Sequence, residues 1–246
     1  MGKQQFRPLA AELGRLRPES DAAGLIRRGA VRVDGRIVTN PRSLVRVGAA
    51  IVVREPAQLR GEVKLAFALR AFRVDVGGRI ALDAGAAAGG FTSALLRAGA
   101  ARVYAVDAGF GQLRGSLRRD PRVVNLERVN IGELTHALVP DLVDVVTLDL
   151  SYLAVARAVR ELDGVRLAPA AELIALVKPM FELQLAEVPR DANRLRRAVS
   201  RAAAGMTAHG WSVVGDVRSP VEGSRGAVEF FVHAVRKSRH EFDTRT

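Results

Sequence analysis

The stretch Ile80-Ala-Leu-Asp-Ala-Gly-Ala-Ala-Ala-Gly-Gly-Phe-Thr92 decides the fold. A short apolar run ends in Asp83, and Gly85, Gly89 and Gly90 follow before a helical pattern begins. Continuous short apolar runs suit strands buried on both faces, as in a parallel sheet. Glycines at such a strand end let the backbone approach a ligand and turn sharply into a helix. The spacing is not G-x-G-x-x-G, and no Lys supplies a phosphate loop. Further on, Asp107 ends the next apolar run. A carboxylate there can accept both ribose hydroxyls of an adenosine moiety. The pattern suits S-adenosyl-L-methionine better than a nicotinamide dinucleotide.

Outward from this stretch lie more apolar runs: Arg102-Val-Tyr-Ala-Val-Asp107, Val123-Val-Asn125, Val143-Asp-Val-Val-Thr-Leu-Asp149 and Leu173-Ile-Ala-Leu-Val177. Helical patterns over 90–98, 111–118 and 154–162 fall between them. Alternating strands and helices predict an α/β, Rossmann-like doubly wound sheet. The end of the chain breaks that rhythm. Trp211 to Val217 and Ala227 to Val235 read as strands joined only by a loop. They predict an antiparallel hairpin at one edge of the sheet. Asn130, after the third run, is a candidate contact to an adenine edge.

Residues 1–54 carry a different, small α+β pattern. Leu9, Leu13 and Leu16 have helical spacing. A second helix fits Ser20 to Arg28, with Ser20 or Asp21 as its cap and Gly29 as its stop. Val31 to Val38 alternates apolar and polar residues about Asp34-Gly35, a hairpin signal, and Ala50 to Val53 reads as a closing strand. Arg27, Arg28, Arg32 and Arg36 cluster on this helix and hairpin. Residues 55–60 read as a linker, 61–236 as the second domain and 237–246 as a polar tail.

The chain has 246 residues and a net charge of +12. Residues 1–56 hold eleven Lys and Arg against five Asp and Glu, so half the net charge sits in under a quarter of the chain. Such a balance points to a polyanionic partner, most often nucleic acid. The absence of cysteine excludes disulfides, a Cys-ligated zinc and a thiolate nucleophile. The four His have no metal-ligand spacing, so no metal centre is expected. No apolar run reaches the ~18 residues of a membrane span, and no leader is evident, so a cytoplasmic protein is expected. Only four of the 38 basic residues are Lys, namely Lys3, Lys64, Lys178 and Lys237. Lys, unlike Arg, can be held as a neutral amine, which singles out the internal pair Lys64 and Lys178.

Two resemblances sharpen this reading. Ala23 to Gly35, followed by Pro41 and a Val-rich strand, resembles the S4-like RNA-binding domain. That implies phosphate contacts by Arg27, Arg28, Arg32 and Arg36, which position RNA without reading its bases. The remainder resembles FtsJ-like methyltransferases, and the whole chain is similar to the TlyA-type (haemolysin A) family of ribosomal RNA 2′-O-methyltransferases. The carrying segments are Arg60-Gly-x-x-Lys-Leu65, Leu82 to Thr92, Val106-Asp-x-Gly-x-Gly-Gln-Leu113, Asp120-Pro-Arg-Val123, Asp149-Leu-Ser151, Leu176-Val-Lys-Pro-x-Phe-Glu182 and Val228-Glu-Phe-Phe231. The family's catalytic Lys-Asp-Lys-Glu tetrad falls on Lys64, Asp149, Lys178 and Glu229. The two internal lysines are therefore the tetrad lysines. The implied cofactor residues are Asp83, Gly85, Gly89, Gly90, Phe91, Asp107 and Asn130. The implied partner is ribosomal RNA or a ribosomal subunit, with no membrane role.

The tetrad suits the chemistry. A 2′-hydroxyl is a poor nucleophile at neutral pH and must line up behind the methyl of a sulfonium while losing a proton. Lys178 is the candidate base, or the acceptor that orients the hydroxyl. Lys64 adds positive potential, and Asp149 and Glu229 position the two amines. Three departures from the family pattern stand out: Ala86 to Ala88 replace hydroxyl residues, Leu59 replaces a serine, and Leu183 to Pro189 replaces a Gly- and Lys-rich loop. The first and the last of these favour one alternative, an enzyme of this fold redirected to a small-molecule acceptor. A non-catalytic RNA-binding protein is a weaker alternative, because the tetrad is retained.

Overall fold

The computed structural model describes residues 4–18, 20–54 and 58–237. They fall into two compact units, one within 1–58 together with 114–121, the other within 59–113 and 122–246.

In the first unit β1 (Phe6–Pro8) leads into α1 (Leu9–Leu16), α2 (Ala22–Arg27), β2 (Val31–Val33), β3 (Arg36–Ile37), β4 (Leu44–Arg46) and β5 (Ile51–Val53). Asp21 caps α2 by accepting the Gly24 N–H at 2.9 Å, and Gly29, at φ +76°, ends the helix. Asp34 and Gly35 both take positive φ, 47° and 82°, which is the twist a two-residue hairpin requires. β2 pairs antiparallel with β3 and β5, and β1 with β4. Leu9, Leu13, Leu25, Ile26, Val31 and Val45 form its core. Arg27, Arg28, Arg32 and Arg36 are exposed.

The second unit opens with α3 (Arg60–Phe72), whose first residue lies in the stretch read as linker. Then come β6 (Ile80–Ala84), α4 (Gly90–Arg97) and β7 (Arg102–Asp107), and, after α5 (Gly115–Arg118) of the first unit, β8 (Val123–Glu127). β9 (Val143–Leu148), α6 (Val155–Ala158), β10 (Leu167–Val177), α7 (Pro179–Glu182) and α8 (Ala192–Ala208) follow, and β11 (Trp211–Arg218) and β12 (Phe230–Arg236) close it. The seven strands lie in the order β11-β12-β10-β9-β6-β7-β8. β6 to β10 run parallel, and β11 and β12 add the antiparallel hairpin at one edge. The doubly wound sheet and its hairpin agree with the expected fold.

Side chains alternate across this sheet. On β6, Ile80, Leu82 and Ala84 enter the core shared with α6 and α8. Asp83 points the other way, toward α4. Two predicted helices are shorter than expected. The pattern over 111–118 yields only α5, because Gly111 adopts φ +73° and Asp107 holds the Gly109 N–H in a bend. The pattern over 154–162 yields α6 and then a tighter 3-10 segment, Val159–Gly164. The predicted strand from Ala227 begins only at Phe230, after a 3-10 turn at Ser224–Gly226. α3 and α8 were not among the predicted helices. Of the predicted tail, only Lys237 is among the described residues; its N–H donates to the Gly210 carbonyl. Among the described residues no helix is long and apolar enough to cross a membrane.

Candidate active site

The strand order reverses at β6, with β7 and β8 on one side and β9 and β10 on the other. In open α/β sheets the crevice outside the strand ends at such a point is where ligands bind. A cavity of about 310 Å³ lies there, lined among others by Gly85, Ala87, Asp107, Val129, Ile131 and Tyr152. Gly85 has φ +91°, and a Cβ there would strike the Asp149 carbonyl, so only glycine fits. Asp107 binds the two loops of the cavity together. Its Oδ2 accepts the Ala87 N–H at 2.8 Å and its Oδ1 the Gly109 N–H at 2.7 Å.

The other residues expected to serve the cofactor sit behind this wall. Asp83 is fully buried and does not line the cavity. It accepts hydrogen bonds from Thr92 Oγ1 at 2.6 Å and Thr147 Oγ1 at 3.1 Å, tying β6 to α4 and β9. Burial pushes its carboxyl up to about 7, against the lowering effect of the two threonines. Gly89 turns the chain into α4 at φ +91°. Gly90 lies against Gly61 of α3, and Phe91 packs on Phe231 with ring centroids 6.0 Å apart. Asn130 is flanked by two lining residues, Val129 and Ile131, but its own N–H and amide donate to Glu133.

A second cavity of about 310 Å³ adjoins the first, with Ser151 lining both. Its walls include Lys178, Met180, Phe181, Pro189, Arg225 and Glu229. Lys178, at the end of β10, has its Nζ 2.7 Å from Asp149 Oδ1 and donates to Ser151 Oγ at 2.8 Å. Asp149 follows β9 and lines the first cavity. Lys64, on α3, donates to Glu229 Oε2 at 2.5 Å, and both are buried. The four tetrad positions thus form two ion pairs, brought together because the antiparallel register that pairs Val177 with Phe230 sets Lys178 next to Glu229.

Several contacts fix these groups. Close approach of Gly61 to Gly90 seats α3 beside the glycine turn and so places Lys64. Arg60 donates to the Glu222 carbonyl, which holds the loop before Glu229. A Cβ on Gly223 would strike the Glu229 carboxylate, so the loop needs glycine there. Glu182 accepts the Val155 N–H at 2.7 Å and anchors α7, with Met180 and Phe181, to α6. Its burial pushes its carboxyl above the usual carboxylate range.

Ser151, Tyr152 and Arg225, to which the sequence motifs give no role, all line the cavities. Ser151 had a usable signal, since it stands two residues beyond Asp149. Phe110 is exposed and lies under Arg128 at 4.2 Å. Among the described residues no group of three His, Asp or Glu is arranged to hold a metal ion.

The first cavity fits an adenosine-bearing cofactor by its own chemistry: a glycine cradle, a carboxylate at a strand end, and apolar walls for a flat ring. Comparison with known proteins agrees. Residues 58–236 match the FtsJ-like methyltransferase family and residues 10–51 match the S4 domain. The chain is 41% identical over 228 residues to the 16S/23S rRNA (cytidine-2′-O)-methyltransferase TlyA of Mycobacterium tuberculosis, covering 89% of this chain and 85% of that one. It is 30% identical to Hemolysin A of Brachyspira hyodysenteriae, covering 88% and 93%. Among solved structures, one from Streptococcus thermophilus, provisionally named a hemolysin, superposes with a TM-score of 0.70 at 27% identity, covering 96% and 90%. With two of its own strand ends, its glycine cradle and its paired lysines accounted for, this chain belongs to the FtsJ-like methyltransferase family and carries an S4 domain ahead of the methyltransferase fold.

Proposed function

We propose that the protein is an S-adenosyl-L-methionine-dependent 2′-O-methyltransferase of ribosomal RNA, with the S4 unit binding RNA and the second unit methylating it. The observation that carries this reading is the meeting of the two cavities at Ser151, with Lys178 ion-paired to Asp149 and hydrogen-bonded to Ser151 at that junction. When bound, the cofactor supplies an electrophilic methyl on a sulfonium. Gly85, Ala87 and Asp107 would hold it, with Asp107 facing the ribose. The acceptor ribose enters the second cavity, against Lys178 and Glu229. Lys178 is held rigidly enough to orient the attacking hydroxyl, and placement of this kind lowers the barrier directly. As the new O–C bond formed and the sulfonium's S–C bond broke to leave a neutral thioether, the hydroxyl proton would be taken up within the Lys178–Asp149 pair. Lys64 and Glu229, next to Lys178 across the β10–β12 register, shape the potential there. The exposed Arg27, Arg28, Arg32 and Arg36 of the S4 unit supply phosphate contacts. Ribosomal subunits are the proposed docking partner and the cytoplasm the proposed site of action.

The test is transfer of labelled methyl to purified ribosomal subunits and to free ribosomal RNA, with ribose methylation read by mass spectrometry of nucleosides. Wild type is expected to give a 2′-O-methylnucleoside and Lys178→Ala to lose 10²-fold or more of the rate, about the value of a positioned proton-transfer group. Transfer to a small molecule with RNA absent would instead establish the redirected enzyme.

A further inference from the structure

We propose that α8 is a second RNA-docking surface, which carries the phosphate backbone on Arg194, Arg197 and Arg201 beside the acceptor cavity. α8 has four Arg and no acidic residue across its 17 positions. Its inner face is made of Ala198, Val199, Ala202 and Met206. Arg196 leans to one side, where it bonds Asp216 of β11 at 3.2 Å. Arg194, Arg197 and Arg201 stand three and four residues apart, so they form one stripe on a helix. All three are exposed.

This stripe is poorly neutralised. Arg194 has only the helix cap Asp191, at 3.6 Å with both side chains more than half exposed, and such a pair is worth little in water. Arg201 lies in the field of Glu182, a carboxylate that is buried and already accepts two backbone N–H groups. Arg197 has no ion-pair partner among the described residues. α6 packs on α8 through Ala156 against Gly205 and adds the exposed Arg157. A basic stripe along one helix is the footprint of a nucleic-acid contact.

Position gives the stripe its use. Val188 and Pro189 line the acceptor cavity, and α8 begins three residues later at Ala192. The stripe therefore starts at the cavity and leads away from it. From Arg194 to Arg201 it runs about 10 Å, at 1.5 Å per residue. That matches the axial span of about three phosphates on one strand. RNA whose acceptor ribose occupies the cavity would have its flanking phosphates guided along α8. The loop before α8, Leu183 to Pro189, carries no Lys or Arg, so the helix offers the basic surface that the loop does not.

The proposal rests on RNA as the acceptor, and the experiment separates the two. Binding of wild type and of Arg194→Gln/Arg197→Gln/Arg201→Gln to free ribosomal RNA and to ribosomal subunits would be measured from 50 to 300 mM salt. Gln keeps helix propensity close to Arg, and unchanged S-adenosylmethionine affinity reports an intact fold. The triple variant is expected to bind both RNA samples at least tenfold more weakly at low salt. Its slope of log K against log salt should fall by about 2 to 3, the value for three lost phosphate contacts. Arg197→Gln alone should remove about one third of that change. Unchanged affinity and slope, with wild type methylating RNA, would overturn the surface while leaving the function intact. Loss of affinity for subunits alone would also overturn it, and would point to an acidic ribosomal protein. If wild type methylates no RNA, the failure lies with the function and not with α8.

Discussion

Gly61 and Gly90 touch backbone to backbone: a Cβ on Gly90 would lie 2.9 Å from the Gly61 Cα. This crossing of α3 and α4 ties the two halves of the site together. It sets the helix that carries Lys64 against the turn that shapes the cofactor cavity. A Cβ on Gly61 would meet the Phe91 ring at 3.3 Å and the Gly90 Cα at 3.4 Å, the latter an ordinary van der Waals contact. Gly90→Ala must therefore push backbone apart, whereas Gly61→Ala can be absorbed by a side chain. Gly90→Ala is expected to cost about 1–3 kcal/mol of stability, as overpacking does, and to lower the methyl-transfer rate. Gly61→Ala should cost less on both counts. Thermal melts and single-turnover rates on the two variants check the ordering, and equal effects would remove the crossing as the cause.

The Lys64–Glu229 pair is buried on both sides, with the side chains 9% and 5% exposed. Removing one partner leaves an uncompensated buried charge. Lys64→Met is expected to cost about 3–5 kcal/mol as well as activity. Adding Glu229→Gln to it should recover most of the stability and none of the activity. Chemical denaturation beside rate measurements separates these. Recovery of both together would show that the pair serves only the fold.

Much of this architecture was legible because β6, β7, β9 and the core half of β10 are written as continuous apolar runs. The scarcity of Lys in an Arg-rich chain by itself singles out Lys64 and Lys178. α3 and α8 were less visible for a physical reason. The buried face of α3 includes Glu62 and Lys64, and that of α8 is built largely from alanine, so neither shows a strong apolar stripe. Asp83 reads as a ligand residue from its motif, yet the period-two alternation of β6 turns it into the layer beneath α4. The Lys178–Ser151 bond spans two strand ends, a relation that no local pattern contains.

Asp83 gives the protein a defined pH dependence. Its folded-state carboxyl titrates at about 7, above the ordinary value of 3.8, because it is desolvated. Between these values the folded state binds more protons than the unfolded state, so stability falls as pH rises from about 4 to 7 and then levels. The contribution is on the order of a few kcal/mol. Asp83→Asn keeps the shape and removes the titration. Denaturation midpoints from pH 5 to 8 should fall with pH in wild type relative to the variant. Parallel curves would mean that the carboxylate is ionised throughout.

Asp107 divides its two oxygens between the glycine turn and the loop after β7, and it faces the cofactor cavity. Asp107→Asn keeps one acceptor oxygen and replaces the other with a donor, which would oppose the N–H of Ala87 or Gly109. Asp107→Ala releases both loops. A hydrogen bond to a charged group contributes about 1.5–3 kcal/mol. Loss of the ribose contact alone should therefore weaken S-adenosylmethionine binding by about 10- to 100-fold, at 1.4 kcal/mol per tenfold. Asp107→Ala should bind still more weakly than Asp107→Asn, because the cradle itself loosens. Titration calorimetry with the cofactor in the absence of RNA measures both. Full affinity in Asp107→Asn would mean that the carboxylate only braces the loops, and that the ribose is held from another wall of the cavity.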